Sequence, residues 1–549
     1  SHIHHVPPIN PRRHRVWIGP GVQLSTYPDQ TMILADGVQI LARNILKGNL
    51  QIAAESRIEK LRERLTSAVE EVQTIDERSM ETAQARLASL LDHKAATGSD
   101  PVSPPGPCRP SRLTTLLLVL VLVVPLAAWA IIHELPVSSS GVPRDIGSVI
   151  TGTDDPGWQL ETVIAARRSW ITNVQVVDLD GDGVNEILAC DAGENRIAIC
   201  RRQQQTWSVE TLAEDLLAPA HAELVDLDGD DDRDLIVSLL GNIQPDDGVV
   251  GQVVWLERTE AGFRRHLLLD GVRRVADARA GDLDGDGDQD LVVAVFGYAR
   301  GEVLWLENDG QQGFTSHRLL NAPGAIHVPL SDFDGDGDLD IVTVVSQDEE
   351  EVWGFENLGR GQGAARFRAR RLWFTHNHDL GSAGLVPVDF DRDGDMDLLL
   401  PTGDNFEYRH TYPQPYHGCL LIRNDGDWKW TAEPLADLGG TYAAAVGEMG
   451  VVLVSMFNAW QQHGAASVLL VPRRPGGVQV AGRRPARVIS TRPSHLATVD
   501  CGDLDGDGRD DIVVGSLHVS PPFDRSAALA VFINRTDPGA ANSSRESGR

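Results

Sequence analysis

The sequence predicts an all-β fold, a seven-bladed β-propeller, preceded by a transmembrane α-helix and a long cytoplasmic α-helical segment. Three observations support this prediction. An acidic nine-residue motif recurs six times after residue 158, at intervals of about 50 residues. Residues 113–132 contain no charged side chain, and residues 58–90 carry apolar side chains at helical spacing.

Composition narrows the classes of partner. The 549 residues carry a net charge of -30 and include 53 glycines. Because nothing offsets the repulsion from phosphate groups, we exclude nucleic acid as a partner. The acidic residues occur in short clusters, and clustered carboxylates indicate cation binding.

The N-terminal part is predicted to contain an irregular arm at 1–34 and a helical region at 35–95. An apolar stripe on a helix needs a partner. One possibility is a coiled coil with a helix of another copy or of another protein. The alternative is that the same chain folds back on itself as a helical hairpin. The stripe through 58–90 consists of Ile58, Leu61, Leu65, Ala68, Val72 and Ile75, followed after a shift of phase by Met80, Ala83, Leu87 and Leu90.

A membrane span is predicted at residues 113–132, between linkers at 96–112 and 133–157. Its 20 residues are about the length that crosses the hydrocarbon core of a lipid bilayer as a helix. Arg109 and Arg112 precede the span, whereas Arg144 is the one arginine soon after it. The positive-inside rule therefore places the N-terminus in the cytoplasm and the propeller in the periplasm or outside the cell.

The repeated motif has carboxylates at its first, third, fifth and ninth positions. Alternate side chains of a tight turn can converge on one hard cation, and calcium takes six to eight oxygen ligands. The candidate ligands are Asp178, Asp180, Asp182 and Glu186; Asp226, Asp228, Asp230 and Asp234; Asp282, Asp284, Asp286 and Asp290; Asp332, Asp334, Asp336 and Asp340; Asp389, Asp391, Asp393 and Asp397; and Asp503, Asp505, Asp507 and Asp511.

The flanks of the motif distinguish it from an EF-hand. An EF-hand has an acid at position twelve and a helix on each side, whereas here the acid is at position nine and a β-strand pattern follows, as in LIVSLL and IVVGSL. The pattern resembles the FG-GAP/VCBS repeat and the calcium loops of integrin α-subunits. The resemblance covers residues 158–534 and implies a calcium-binding propeller with about six Ca²⁺ sites.

Each repeat contains four predicted strands, which is the composition of a propeller blade. The distance between the motifs at 389 and 503 is twice the repeat length, and a degenerate blade fits at 441–457, with Glu448-Met449-Gly450 in place of the acidic loop. The last repeat lacks a fourth strand, so we expect residues 158–165 to supply it and to close the ring. Residues 535–549 are predicted to be a disordered tail.

Polar residues on the predicted inner strands offer a second candidate site. Strand alternation points His221, Glu223, Asp277 and His327 into the central channel, where they either form a ligand or catalytic site or line a water-filled channel. His376, His378 and Asp379 form another candidate metal cluster. Cys190 and Cys200 lie off register in one predicted hairpin, so we expect free thiols.

The expected function is binding rather than catalysis. Integrin-like propellers use calcium to stabilise loops on one face and recognise partners on the other, so the resemblance implies a membrane-anchored protein-interaction, adhesion or scaffolding module. One alternative is an accessory subunit of a larger membrane complex. Another is a polysaccharide-binding or polysaccharide-degrading enzyme that uses the channel. No catalytic motif is recognised.

Overall fold

A computed structural model of the chain divides into two compact units, residues 1–127 and 128–549. The residues it describes are 2–3, 23–24, 150–165, 169–243, 247–347, 349–360, 365–377, 379–404, 413–414, 416–456, 464–472, 486–517 and 527–536. In the first unit, two short strands pair in parallel: β1 (His2–Ile3) and β2 (Gln23–Leu24).

The predicted helical region, the predicted membrane span and the predicted tail from 537 onward lie outside the described residues. Among the residues that are described, no helix has the length and apolarity that a membrane span requires.

The second unit is an all-β, seven-bladed propeller of antiparallel sheets. The first strand, β3 (Trp158–Ile164), belongs to the last blade. Blade 1 contains β4 (Ile171–Val177), β5 (Glu186–Asp191), β6 (Arg196–Gln203) and β7 (Thr206–Ala213). Blade 2 contains β8 (Pro219–Val225), β9 (Asp234–Leu239), β10 (Gly251–Thr259) and β11 (Gly262–Val272). Blade 3 contains β12 (Val275–Gly281), β13 (Asp290–Val295), β14 (Glu302–Asn308) and β15 (Phe314–Leu320).

Blade 4 has a split inner strand, because Pro329 has no N–H group for the ladder. Its strands are β16 (Ala325–His327), β17 (Leu330–Ser331), β18 (Asp340–Val345), β19 (Glu350–Arg360) and β20 (Ala365–Thr375). Blade 5 contains β21 (Val386–Val388), β22 (Asp397–Thr402), β23 (Gly418–Asn424) and β24 (Trp430–Ala436). Blade 6 contains β25 (Thr441–Gly447), β26 (Gly450–Ser455), β27 (Val468–Pro472) and β28 (Arg487–Ser490). Blade 7 contains β29 (Leu496–Gly502), β30 (Asp511–Ser516), β31 (Leu529–Asn534) and β3.

The second strand of every blade is buried along its whole length. In the sequence, these strands are continuous apolar runs in which apolar and polar residues do not alternate, as in LVVAV and IVVG. Both faces of each strand pack against neighbouring blades. The hydrophobic core therefore lies between blades. Between blades 6 and 7, for example, Val452 and Val454 share a cluster with Ile512 and Val514.

The ring closes as predicted, because β3 is the fourth strand of blade 7. Trp158 pairs with Asn534 and Ile164 pairs with Leu529. The chain therefore joins its first and last propeller strands in one sheet, and no blade edge is left open at the closure.

The described residues before β3 bind to blade 6. The backbone oxygen of Ile150 accepts a hydrogen bond from Ala466 N at 2.8 Å, and Asp155 N donates to Ile489 O at 3.0 Å. Asp154 Oδ1 accepts a hydrogen bond from Thr491 N at 2.8 Å. Residues 150–164 thus form one segment that holds blades 6 and 7, and we call it the closing segment.

The degenerate sixth blade is also confirmed. β25 ends at Gly447 and β26 begins at Gly450, so a short turn replaces the acidic loop. Glu448 N donates a hydrogen bond to Asp510 Oδ2 of blade 7 at 2.6 Å. A carboxylate of the neighbouring blade thus anchors the turn.

The cysteine prediction holds for the described cysteines. Cys190 and Cys200 are buried free thiols. Cys190 pairs with Ile197 and Cys200 with Ile187, so the two cysteines are off register and cannot be bridged across the hairpin.

Candidate cation site

Each acidic loop lies between the first and second strands of its blade and folds around its first aspartate. In blade 1, Asp178 Oδ1 accepts a hydrogen bond from Gly181 N at 2.8 Å, and its Oδ2 accepts one from Gly183 N at 2.9 Å. Both glycines have positive φ, which the sharp turn requires. The equivalent aspartates that accept the same bonds are Asp226, Asp332 and Asp503.

This turn brings alternate carboxylates together, as the spacing predicts. One oxygen from each member of a group lies within 4.8 Å of the others, so a single ion can contact all three. A cation bound there would offset the repulsion between these carboxylates. The groups are Asp178, Asp180 and Glu186; Asp226, Asp228 and Asp230; Asp282, Asp284 and Asp286; Asp332, Asp334 and Asp336; and Asp389, Asp391 and Asp393.

The carboxylate at position nine of each motif has a structural role that the sequence did not reveal. In blade 4, Asp340 Oδ2 accepts a hydrogen bond from Phe333 N at 2.9 Å and its Oδ1 accepts one from Asn357 N at 2.7 Å. Burial raises the pKa of Asp340 to about 7 and that of Asp511, its equivalent in blade 7, to about 6. This residue therefore ties the loop to the third strand, and its role as a bidentate cation ligand stays a prediction.

Several loop oxygens lack the partner that buried polar atoms normally have. Asp228 Oδ1, Asp282 Oδ1 and Asp505 Oδ1 are buried and accept no hydrogen bond. The Asp505 side chain is only 6% exposed. An orphaned carboxylate oxygen in an acidic turn fits a bound hard cation, since calcium takes oxygen ligands of this kind.

The loops differ in the charges around them. In blade 1, Arg201 pairs with Asp180 and with Glu186, each at 3.4 Å. In blade 7, Arg535 pairs with Asp505, and Arg509 pairs with Asp507. These guanidinium groups already neutralise part of the charge that a cation would balance.

Asparagines at the ends of third strands connect neighbouring loops. Asn357 Nδ2 donates to Leu283 O of blade 3 at 2.8 Å, and Asn424 Nδ2 donates to Phe333 O of blade 4 at 2.7 Å. The sequence analysis missed these residues, although the recurring ends WLEN, GFEN and LIRN carried the signal. Neighbouring loops are thus linked through hydrogen bonds as well as through packing.

The polar residues of the inner strands bond to the next blade. Glu223 Oε2 accepts a hydrogen bond from Ala280 N at 2.8 Å, and Asp277 Oδ2 accepts one from Val328 N at 3.1 Å. At the ring closure, Asp500 Oδ2 accepts one from Val176 N at 2.7 Å. These carboxylates therefore satisfy backbone N–H groups across blade boundaries.

The four predicted channel residues come from adjacent strands, and three of them form a contiguous cluster. His221 Nδ1 lies 3.1 Å from Asp277 Oδ1, and His327 Nδ1 lies 3.5 Å from Asp277 Oδ2. Arg279 pairs with the same carboxylate at 3.1 Å. Burial lowers the pKa of His221 to about 3, so its imidazole is neutral, and burial raises the pKa of Glu223 to about 7. Because His221 and Asp277 are buried, they do not line an open channel.

The structure describes two members of the other candidate cluster. His376 Nδ1 lies 3.2 Å from Glu349 Oε1, and its side chain is largely exposed. His378 lies outside the described residues. Whether these residues hold a metal stays a prediction.

The fold and the loops define the class of protein: a β-propeller whose blades carry acidic loops that could hold a cation. Comparison with protein families agrees, because a model described as FG-GAP-like repeat matches residues 282–343 and 332–400. Those residues carry FG-GAP-like repeats. No curated protein matches the chain.

Among solved structures, the chain is similar to BBS1N in complex with ARL6DN. In the mercury-soaked crystal the sequence identity is 12%, the TM-score is 0.40, and the match covers 70% of this chain and 99% of that chain. In the lead-soaked crystal the identity is 11%, the TM-score is 0.40, and the match covers 71% of this chain and 98% of that chain. Similarity at this TM-score does not identify the partners of this chain.

Proposed function

We propose that this protein is a protein-interaction module whose propeller is stabilised by calcium in its acidic loops. The ligands are the carboxylates at positions one, three, five and nine of the loops in blades 1 to 5 and 7, which makes about six sites. The proposal includes no catalytic step. Bound calcium would offset the repulsion between the carboxylates of each loop.

The loop residues fit calcium better than magnesium. Calcium accepts six to eight oxygens in flexible geometry, whereas magnesium prefers a rigid octahedron with several waters. Each loop offers carboxylates and backbone carbonyls from one short turn, and these give oxygen ligands only. Calcium is also abundant outside the cytoplasm, where the predicted membrane topology places the propeller.

One observation carries the interaction function: exposed apolar side chains on the face opposite the acidic loops. Leu217 is 55% exposed and Val249 is 58% exposed, and Val250 lies beside them. Leu217 O accepts a hydrogen bond from Gly241 N at 2.9 Å, and Gly241 abuts Val250. The backbones of Leu217 and Val250 thus both approach Gly241, which places the three residues close together on one face of blade 2, and we call them the patch. Exposed apolar groups of this kind favour a protein partner.

A charge introduced into this patch tests the function. We expect Leu217→Glu with Val249→Glu to abolish recovery of a stoichiometric protein partner from mild detergent, because a buried carboxylate opposes an apolar interface. Leu267→Glu is the matched control, since Leu267 is 51% exposed but lies on the outer strand of blade 2, away from the acidic loops. Equal recovery with both variants, or a wild-type chain that purifies without any partner, would refute the proposed role.

The membrane topology is a separate part of the proposal. Residues 113–132 span the bilayer, residues 58–90 associate with a helical partner in the cytoplasm, and the propeller lies in the periplasm or outside the cell. An accessory subunit of a membrane complex is compatible with contacts on both sides of the bilayer. Protease digestion of intact cells and of spheroplasts tests the topology, since a propeller outside the cytoplasmic membrane is cleaved in one of them before that membrane is lysed.

A further inference from the structure

Trp428 belongs to the turn between the third and fourth strands of blade 5, yet its side chain reaches the acidic loop of blade 4. The indole Nε1–H donates a hydrogen bond to Asp334 Oδ2 at 2.9 Å. Asp334 is the third residue of that loop and one of its three converging carboxylates. A residue of one blade therefore holds a candidate cation ligand of its neighbour.

The surroundings of the indole show how blade 4 accommodates it. The ring lies over Gly354, where a Cβ atom would be 2.5 Å from Cζ3 of Trp428. The Arg370 guanidinium lies 5.6 Å from the ring centroid, and the Phe333 and Trp428 ring centroids are 6.5 Å apart. Any side chain larger than glycine at 354 would displace the indole. The position of the Nε1–H group is therefore determined by packing against blade 4.

The partner of the carboxylate at position three differs between loops. In blades 1 and 7 this carboxylate pairs with an arginine, as Asp180 does with Arg201 and Asp505 with Arg535. A guanidinium repels an incoming cation. The indole of Trp428 is a neutral donor, so it orients Asp334 without adding positive charge. Hydrogen-bond donors behind a metal ligand fix its orientation and raise metal affinity.

We propose that the acidic loop of blade 4 binds a divalent cation more tightly than the loops of blades 1 and 7, and that Trp428 is its positioning residue. This inference rests on the proposed cation binding. It adds that the loops are unequal and names the side chain that sets the affinity of one of them.

Terbium provides the test, because this hard cation occupies calcium sites and emits when a nearby tryptophan is excited. We expect the full chain to show sensitised emission in the first phase of a Tb³⁺ titration. Trp428→Phe removes the indole donor and preserves an aromatic ring. It should weaken that first phase about tenfold and reduce its emission, since loss of such a donor costs at least this much affinity.

Trp430→Phe is the matched control. Trp430 packs against Phe333 with ring centroids 6.0 Å apart, but its Nε1 has no hydrogen-bond partner. Asp334→Asn keeps an acceptor for the indole and removes the charge, so it should abolish the same phase even if Trp428→Phe perturbs folding. Thermal unfolding of each variant in EDTA measures any loss of stability that is independent of the cation.

The outcomes separate the two levels of the proposal. A wild-type chain that binds neither Tb³⁺ nor Ca²⁺ would overturn both the proposed cation binding and this inference. If the wild type binds the ions and Trp428→Phe titrates like Trp430→Phe, only the role of Trp428 is refuted. Arg201→Gln and Arg535→Gln should tighten late phases of the titration. Unchanged or weakened late phases would refute the ranking of the loops.

Discussion

Asp277 on the inner strand of blade 3 accepts a hydrogen bond at 3.1 Å from the backbone N–H of Val328, which lies between the two parts of the split inner strand of blade 4. The same carboxylate pairs with Arg279 and lies against two histidines. Although burial opposes ionisation, the charge of Arg279 and a hydrogen bond from His327 hold the pKa of Asp277 well below its usual range. Three consecutive blades are thus joined through one buried anion.

Asp277→Asn should destabilise the propeller by about 1–3 kcal/mol, because it removes the counter-ion of the half-buried Arg279. Urea unfolding measures this difference. Asp270→Asn is the control, since Asp270 is exposed and its loss should cost less than about 0.5 kcal/mol. A cost for Asp277→Asn as small as that of the control would mean that the cluster does not hold the blades together.

Chelation should lower the melting temperature of the wild-type chain by several degrees. A cation at a hundred times its dissociation constant contributes about 2.7 kcal/mol per site, and this contribution is lost in EDTA. Calcium should restore the melting temperature, and magnesium should restore less of it. A melting curve that EDTA leaves unchanged would refute calcium stabilisation.

Glu350 predicts a dependence of stability on pH. Its side chain is buried against Gly381 N and Ser382 N, and burial raises its pKa from 4.5 to about 8. Between these values the folded protein binds a proton that the unfolded chain has released. The free energy of unfolding should therefore fall as the pH rises from about 4.5 to about 8, by at most roughly 1.4 kcal/mol per unit.

Unfolding in urea across that pH range measures the effect. Glu350→Gln should make the slope shallower because amides do not titrate, and Glu223 and Asp340, whose pKa values burial also raises to about 7, should maintain the rest. Glu210→Gln is the matched control, since the Glu210 side chain is 63% exposed. The assignment to Glu350 fails if both variants keep the slope of the wild type.

Removal of the closing segment should open the ring. A chain that begins at residue 165 lacks the fourth strand of blade 7 and exposes the edge of β31, so we expect it to unfold at lower temperature and to self-associate. A chain that begins at residue 150 retains the segment and is the control. Size-exclusion chromatography distinguishes them, and a monomeric, equally stable shorter chain would show that closure is dispensable.

Much of the fold follows from sequence patterns that are local. The spacing of Asp178 to Glu186 and its repetition predict the blades, and the apolar runs after each motif predict the buried second strands. The match of 158–165 to a fourth strand even predicts the closure. These features depend on the order of residues within one repeat, so they can be recognised from a single sequence.

The contacts between blades could not be predicted in this way. The bond from Trp428 to Asp334 and the burial of Asp277 depend on how one sheet is rotated against the next, which no single repeat encodes. The carboxylate at position nine of the motif illustrates the same point. Its charge suggested a ligand, whereas its bonds to backbone N–H groups depend on the third strand.

The closing segment also has a consequence for biosynthesis. A ribosome makes β3 before any other propeller strand and makes its partner β31 last. The nascent chain must therefore keep Trp158–Ile164 unpaired until translation of the propeller is complete. Pairing between such distant strands is slow, and an unpaired edge invites association between chains. Blades with acidic loops can assemble early, but the ring becomes complete only after β31 has been synthesised.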